Sequence, residues 1–123
     1  NSVYTASPEE LTLMLYNGLV KFIMKAQHAL SKNDIEGTNE NIQKAEDIIV
    51  ELMSSLDKKY EIAVSLELLY DYMMRRLVEA NMKKSSEILD EMLEFAKDLR
   101  DTWEQAIKLA RKQMKTNAAA AGI

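Results

Sequence analysis

The sequence has no cysteine, one proline and only three glycines among its 123 residues. Without cysteine the chain has no disulfides and no thiolate metal ligands, which fits a reducing compartment such as the cytoplasm. So little proline and glycine does not suffice for the many tight turns of an all-β fold. Because 47% of the residues are hydrophobic and 29% are charged, the composition predicts a single all-α domain over residues 1–123.

Patterns typical of enzymes and metal sites are also missing. His28 is the only histidine, and Lys25 stands where the Glu-x-x-His motif of a di-iron bundle needs its glutamate. A lone histidine without a nucleophile and an orienting acid does not form a hydrolytic triad, and there is no glycine-rich phosphate loop. We therefore predict a solvent-exposed His28 and a protein without catalytic activity, metal, cofactor or small-molecule substrate.

Long hydrophobic runs and excess positive charge are absent as well. The longest uncharged run of the first predicted helix, residues 11–20, is about half of the roughly 20 residues that a membrane span needs. The formal net charge of −4 gives no overall attraction to nucleic acid or to anionic lipid. We predict neither nucleic-acid binding nor membrane insertion.

The strongest signal that the sequence does contain is the helical stretch from Ser7 to Leu30. Ser7 and Glu10 form a capping box, and Pro8 occupies the first helical position. At 100° per residue, apolar side chains cover roughly two thirds of the circumference of this helix. Two interpretations follow: the helix is a central one that is covered on several sides, or part of its apolar arc awaits a partner.

Three further helices are predicted. The second follows a cap at Asn33 or Asp34, the third runs from about Tyr60 to Asn81, and the fourth begins after an N-cap at Ser85. Residues 1–6 are interpreted as a short extended lead-in, and residues 117–123 as a tail, set apart from the fold, that either extends the last helix or frays. Because the connections are short, the expected architecture is an antiparallel up-down four-helix bundle.

Spacings of three and four assign the core. Gly18, inside the first helix, is interpreted as a point of close approach between helices. The predicted stripe of the third helix comprises Ile62, Leu66, Leu69, Met73, Leu77 and Ala80. The residues that we expect to be structural core are Leu15, Leu19, Phe22, Ile49, Leu69, Met73, Leu99 and Trp103.

The first and third helices carry more apolar surface than one core face needs. In the third helix, Val64, Leu68 and Tyr72 recur on roughly the opposite side from the core stripe. A large apolar patch on the surface of a soluble protein usually marks a binding site. The predicted groove for a protein partner comprises Leu13, Tyr16, Val20, Val64, Leu68, Tyr72, Val78 and Met82.

Three runs of residues resemble one protein family. The run TASPEELTLMLYNGLVKFI in the first helix, LYDYMMRRLVEAN in the third and LRDTWEQAI in the fourth are similar to FliS, the bacterial flagellar export chaperone. The resemblance extends from about Asn1 to Lys112. It implies an all-helical, non-enzymatic, cytoplasmic protein that binds the C-terminal region of flagellin, prevents premature polymerisation and helps deliver flagellin to the type III export apparatus.

The resemblance also implies contact with a component of the flagellar export gate. In FliS-like chains this contact is linked to a short Tyr-containing segment before the first helix, and this sequence begins too late to include most of that segment. A rival interpretation keeps the same fold but assigns a different role. In it, the chain is a structural or adaptor bundle that self-associates through the same apolar faces.

Overall fold

The computed structural model describes residues 5–122, and this part of the chain forms four α-helices. Helix α1 spans Pro8–Ser31, α2 spans Ile35–Ser54, α3 spans Glu61–Lys83 and α4 spans Ser86–Ala120. No β-strand occurs among residues 5–122. The predicted all-α class is therefore confirmed.

Three of the four helices begin at side-chain caps that the sequence predicts. In each, the side-chain oxygen of the capping residue accepts a hydrogen bond from the backbone N–H three residues further on, which satisfies an otherwise unpaired donor. The capping residues are Ser7 for α1, Asp34 for α2 and Ser85 for α4. Helix α3 follows Tyr60, whose side chain makes no capping hydrogen bond.

The helices form a ring in chain order. Helix α1 packs against α2 and α4, and α3 packs against the same two helices, so α1 and α3 lie diagonally opposite each other. Contacts along α1 run in the opposite order along α4, because Gln27 bonds Asp90 at one end and Glu10 pairs with Arg111 at the other. This arrangement agrees with the predicted antiparallel bundle.

The core is a single cluster of buried side chains from all four helices. Leu19, Ile49 and Met73 are fully buried, as the spacing predicts. The other predicted core residues are partly buried and pack against this cluster: Leu15, Phe22, Leu69, Leu99 and Trp103. The side-chain N and O atoms buried among the described residues all have hydrogen-bond partners.

Gly18 marks a close approach of α1 to α2, as predicted. A Cβ atom at this position would lie 3.0 Å from Cδ1 of Ile48. That separation is tighter than ordinary carbon–carbon contact, so an alanine here would require the Ile48 side chain to shift by a few tenths of an ångström. The glycine thus leaves room for the Ile48 side chain in the α1–α2 seam.

Three expectations about individual segments need correction. Helix α1 is one member of the ring and not a central helix. Residues 117–120, set apart as part of a tail, continue α4. Most of the predicted extended lead-in lies outside the described residues, but Thr5 within it has helical geometry.

Ile62 is a further correction, because its side chain is 64% exposed instead of buried. The helical angle does place Ile62 on the core side of α3. At that end of the bundle, however, α3 and α4 leave a gap that no described side chain closes.

Candidate protein-binding surface

The seam between α3 and α4 is closed at one end by a group of polar and aromatic contacts. Tyr72 meets Phe95 edge to face, with ring centroids 5.9 Å apart. The Tyr72 hydroxyl donates to Oε2 of Glu91 at 2.8 Å, and Nη2 of Arg76 donates to Oε1 of the same carboxylate at 2.7 Å. We call Tyr72, Arg76 and Glu91 the α3–α4 clamp.

The clamp forms an extended network of charge. Hydrogen bonds from Arg76 and Tyr72 lower the pKa of Glu91 below its ordinary value. Bonds from Lys83 and Arg76 likewise lower the pKa of Glu79. Both carboxylates are therefore ionised at neutral pH, and the network joins α3 to α4 at this end of the seam.

At its other end the same seam is open. Ile62 and Leu66 of α3 face Leu99, Trp103 and Ala106 of α4 across a cleft of about 270 Å³, and Tyr16 of α1 completes its lining together with Thr102. We call this space the α3–α4 cleft. Its lining is almost wholly apolar, so it suits apolar side chains and offers little to a polar ligand.

A second hollow of about 180 Å³ adjoins the cleft. It shares Tyr16, Ile62, Leu66 and Trp103 with the cleft and extends toward the connection between α2 and α3. Side chains that line only this hollow include Leu52, Leu56, Tyr60, Ala63 and Tyr70. Each of the two spaces is large enough for a bulky side chain of a partner.

Trp103 forms a fixed wall of the cleft. Its Nε1–H donates to the backbone carbonyl of Glu9 at 2.9 Å, and its ring lies 6.4 Å from that of Tyr16 in an edge-on arrangement. With its polar atom satisfied, the indole presents an apolar ring to the cleft.

Tyr16 and Tyr70 join the diagonally opposed helices α1 and α3. Their hydroxyl oxygens are 2.5 Å apart. Burial raises the pKa of Tyr16, and burial together with the hydrogen bond that it shares with Tyr16 raises the pKa of Tyr70. Both phenols stay neutral at physiological pH, so this pair gives the cleft no acid or base.

Exposed apolar side chains also line the outward face of α3. We call Val64, Leu68, Val78 and Met82 the outer α3 stripe; Leu68 is 67% exposed and Met82 is 81% exposed. At 1.5 Å per residue the stripe is about 27 Å long. An exposed ion pair between Asp71 and Arg75 interrupts it, with N and O 3.2 Å apart.

Metal and membrane features are not found in the described part of the chain. Residues 5–122 hold no group of three or more His, Asp or Glu side chains placed to bind a metal ion. None of their helices combines the length and the apolar character that crossing a bilayer requires. His28 is exposed, as expected.

Comparison with known proteins identifies the family. The sequence model of the family described as "Flagellar protein FliS" matches residues 1–110. The flagellar secretion chaperone FliS of Bacillus subtilis is 50% identical over 112 residues, which are 91% of this chain and 84% of the relative. This chain belongs to the FliS family.

Other comparisons agree with this assignment. The flagellar secretion chaperone FliS of Salmonella typhimurium is 33% identical over 85% of this chain and 80% of its own length. A solved structure described as a flagellar chaperone from bacteria has a similar fold, with a TM-score of 0.77 over 88% of this chain and 89% of that one. Its sequence identity is 22%, so it supports the fold alone. The predicted resemblance to FliS is thus confirmed.

The predicted groove residues of this FliS-family chain fall into separate groups. Val64, Leu68, Val78 and Met82 are exposed on α3. Leu13 is partly buried beside a hollow between α1 and α4. Whether these residues contact a partner stays a prediction.

Two predicted groove residues of α1 are buried in the core, although Tyr16 also lines the α3–α4 cleft. Tyr16 is 2% exposed and Val20 is 5% exposed. The Tyr16 ring meets Trp103 of α4 edge on and its hydroxyl bonds Tyr70 of α3, and a helical angle alone does not reveal where such neighbours lie. Tyr72 is also displaced from the outer face, because its ring packs against Phe95 and its hydroxyl bonds Glu91.

Sequence reasoning missed Tyr70 and Ala63, both of which are buried. A signal for them was present, because Ala63, Leu66, Tyr70, Met73, Leu77 and Ala80 follow an unbroken three-four repeat. That repeat leaves out Ile62. The cleft itself had no signal in the sequence, since it arises where two neighbouring helices fail to close.

Proposed function

We propose that this FliS-family chain is a cytoplasmic chaperone that binds the C-terminal region of unassembled flagellin, in the α3–α4 cleft and along the outer α3 stripe. While bound, the flagellin segment is kept from polymerising, and the complex is delivered to the type III export apparatus through contact with the export gate. The observation that carries the proposal is the apolar surface of α3, open on its outward face and at its seam with α4.

The chemistry of this surface favours binding over catalysis. Ile62 and Leu68 are large apolar side chains that are exposed to solvent. An amphipathic segment can cover them with its own apolar face, as in other complexes where a helix lies in a groove. Burial of apolar area stabilises such a complex by about 25 cal/mol per Å², less the cost of ordering the segment.

The relatives support a role in flagellar export. Those from Bacillus subtilis, Vibrio cholerae and Salmonella typhimurium are all named flagellar secretion chaperones. A secretion chaperone needs a surface for a protein partner, and the α3 surface supplies one of suitable size and polarity. Flagellin is the partner that we propose for this chain.

The test measures binding of a peptide from the flagellin C-terminal region by calorimetry and size-exclusion chromatography. The wild type is expected to form a discrete one-to-one complex. The double variant Ile62→Ser/Leu68→Ser should keep its helical content, because both side chains are exposed, and should bind at least tenfold more weakly, which corresponds to about 1.4 kcal/mol.

Val50→Ser is the matched control, because Val50 is an exposed apolar residue of α2 that lines neither the cleft nor the stripe. It should bind like the wild type. Full-strength binding by a folded Ile62→Ser/Leu68→Ser variant would place the client elsewhere. A wild type that forms homo-oligomers and ignores the peptide would instead favour the self-associating adaptor.

A further inference from the structure

Three lysines converge on one aromatic ring at the seam between α1 and α2. The ammonium nitrogens of Lys21, Lys25 and Lys44 lie 5.4, 5.8 and 5.5 Å from the centroid of the Phe22 ring. Lys21 and Lys25 come from α1, whereas Lys44 comes from α2. The three charges therefore converge through packing of two helices and not merely through adjacency in sequence.

None of these three lysines forms an ion pair with a described carboxylate. The salt bridges of residues 5–122 involve other cations. Glu40 and Asp47 stand four before and three after Lys44, at spacings that permit a helical ion pair. Lys44 nevertheless lies over Phe22, and all three lysine side chains are exposed.

This placement concentrates positive charge outside any ion pair in a protein whose net charge is −4. Because each ammonium is under 6 Å from the same centroid, any two of them are separated by about 12 Å at most. That upper limit exceeds the Debye length of about 8 Å at physiological salt, so their mutual repulsion is largely screened at the widest spacing and acts only between nearer pairs. A carboxylate that binds among the lysines interacts with each of them at short range.

We propose that Lys21, Phe22, Lys25 and Lys44 form a docking surface for an acidic segment of a second protein, in which carboxylates flank an apolar side chain. The carboxylates pair with the lysines, and the apolar side chain packs on the partly buried Phe22 ring. We call these four residues the lysine–phenylalanine patch.

The surroundings of the patch select a short acidic segment over a polyanion. The exposed face of α2 beside it carries Glu40, Asp47 and Glu51. These carboxylates repel the continuous phosphate charge of a nucleic acid or an anionic membrane. A short peptide with a few carboxylates meets less of this repulsion than a polyanion does, and its contact with Lys44 falls between Glu40 and Asp47.

The patch lies on the opposite side of the ring from the proposed client site. Helices α1 and α2 form one seam, and α3 and α4 form the seam across from it. An acidic partner at the patch therefore leaves the α3–α4 cleft free. The chaperone can hold a client and this second protein at the same time.

The experiment uses the blocked peptide Glu-Glu-Leu-Glu-Glu-Leu-Glu and the ¹⁵N-labelled full chain. The peptide is expected to cause saturable amide shifts around Gly18–Lys25 and Asn41–Ile48, and the same peptide with Gln for Glu should cause none. Raising the salt concentration should weaken the binding, because the contacts are between exposed charges.

Charge-reversal variants separate this surface from general electrostatics. K21E/K44E is expected to weaken peptide binding at least tenfold. K108E/K112E, which makes the same change in net charge at exposed lysines of α4, should stay within twofold of the wild type. K21Q/K44Q removes the two positive charges without adding negative ones and should weaken peptide binding at least threefold. This variant replaces K21E/K44E in the test if K21E/K44E has a lower helical content than the wild type.

Several results would overturn the proposal. One is an equal loss of affinity in K21E/K44E and K108E/K112E, which would show a dependence on net charge alone. Another is that a DNA duplex or anionic vesicles displace the bound peptide as effectively as an excess of free peptide does. The Ile62→Ser/Leu68→Ser variant should bind the acidic peptide normally, so failure of the client proposal is distinguishable from failure of this one.

Discussion

Trp103 connects two parts of the molecule at a single residue. Its ring forms a wall of the α3–α4 cleft, while its Nε1–H holds the backbone of Glu9 at the start of α1. The sequence placed Trp103 on the core stripe of the last helix, and a residue of that stripe can be fully buried. Trp103 is instead partly buried, because the stripe meets the cleft at this position.

Replacing Trp103 with Ala should therefore reduce the free energy of unfolding by about 2–3 kcal/mol, less than the 3–5 typical of a fully buried aromatic residue. Chemical denaturation of the isolated chain measures the change. Trp103→Phe is the control: it keeps a ring against the cluster but loses the hydrogen bond, so about 1 kcal/mol should be lost. Equal losses in both variants would contradict a packing role for the ring.

At the scale of helices, the sequence was most informative where local chemistry decides the outcome. Ser7 and Ser85 were found as caps because capping depends on residues within one turn. Leu19 and Ile49 were found as core because each lies more than one turn inside its helix, where side chains of the neighbouring helices cover it. Ile62, near a helix end, has the right angle but lacks that cover.

The α3–α4 seam shows what a single helix pattern cannot provide. Tyr72 and Arg76 bond Glu91, whereas Ile62 and Leu66 stand apart from α4. A side chain on the flank of α3 contacts α4 or stays open to the cleft according to which α4 residue lies opposite it. Which residues pair depends on both helices, whereas the hydrophobic repeat and the helical angle of a residue describe only its own helix.

The clamp gives the stability of the protein a dependence on acid. The pKa of Glu91 is lowered in the folded chain, so its contribution is fully present above the ordinary glutamate pKa of 4.5 and is lost as pH falls below it. We expect the free energy of unfolding to decrease as pH falls through this range. In Glu91→Gln the decrease should be smaller, as measured by urea unfolding at several pH values.

Glu46 supplies a control, because its pKa is shifted in the opposite direction to that of Glu91. Burial, followed by the charge of Asp47, raises the pKa of Glu46. A raised pKa in the fold favours the folded state as pH falls, so Glu46→Gln should make the acid-induced loss steeper than in the wild type. If both variants had the same pH profile, the clamp would not be the source of the dependence.

At the scale of the whole molecule, the ring of four helices places two unlike surfaces on opposite seams. The cleft and stripe of α3 are apolar, while the patch on α1 and α2 is basic with one aromatic ring. The sequence pointed to surplus apolar residues but assigned Tyr16 and Val20 to the surface. Both are buried, and the pattern of a single helix does not show which neighbours cover them.

The proposed client should stabilise the entire bundle, because a ligand that binds only the folded state shifts the unfolding equilibrium. At a flagellin peptide concentration of 100 times Kd the gain is about 2.7 kcal/mol, and the thermal midpoint should rise by on the order of 10 °C. Circular dichroism melting measures the shift. A scrambled peptide of the same composition should leave the midpoint unchanged, and an equal rise with both would refute specific binding.

The position of Trp103 has an optical consequence. The sequence contains one tryptophan, and its indole ring stands at the cleft with the Tyr16 ring 6.4 Å away. A segment that fills the cleft removes water from the exposed side of that ring, and indole emission moves to shorter wavelength when its surroundings become less polar. The tryptophan emission of the unlabelled protein, excited selectively over that of the five tyrosines, therefore comes from one known place and reports whether that place is occupied.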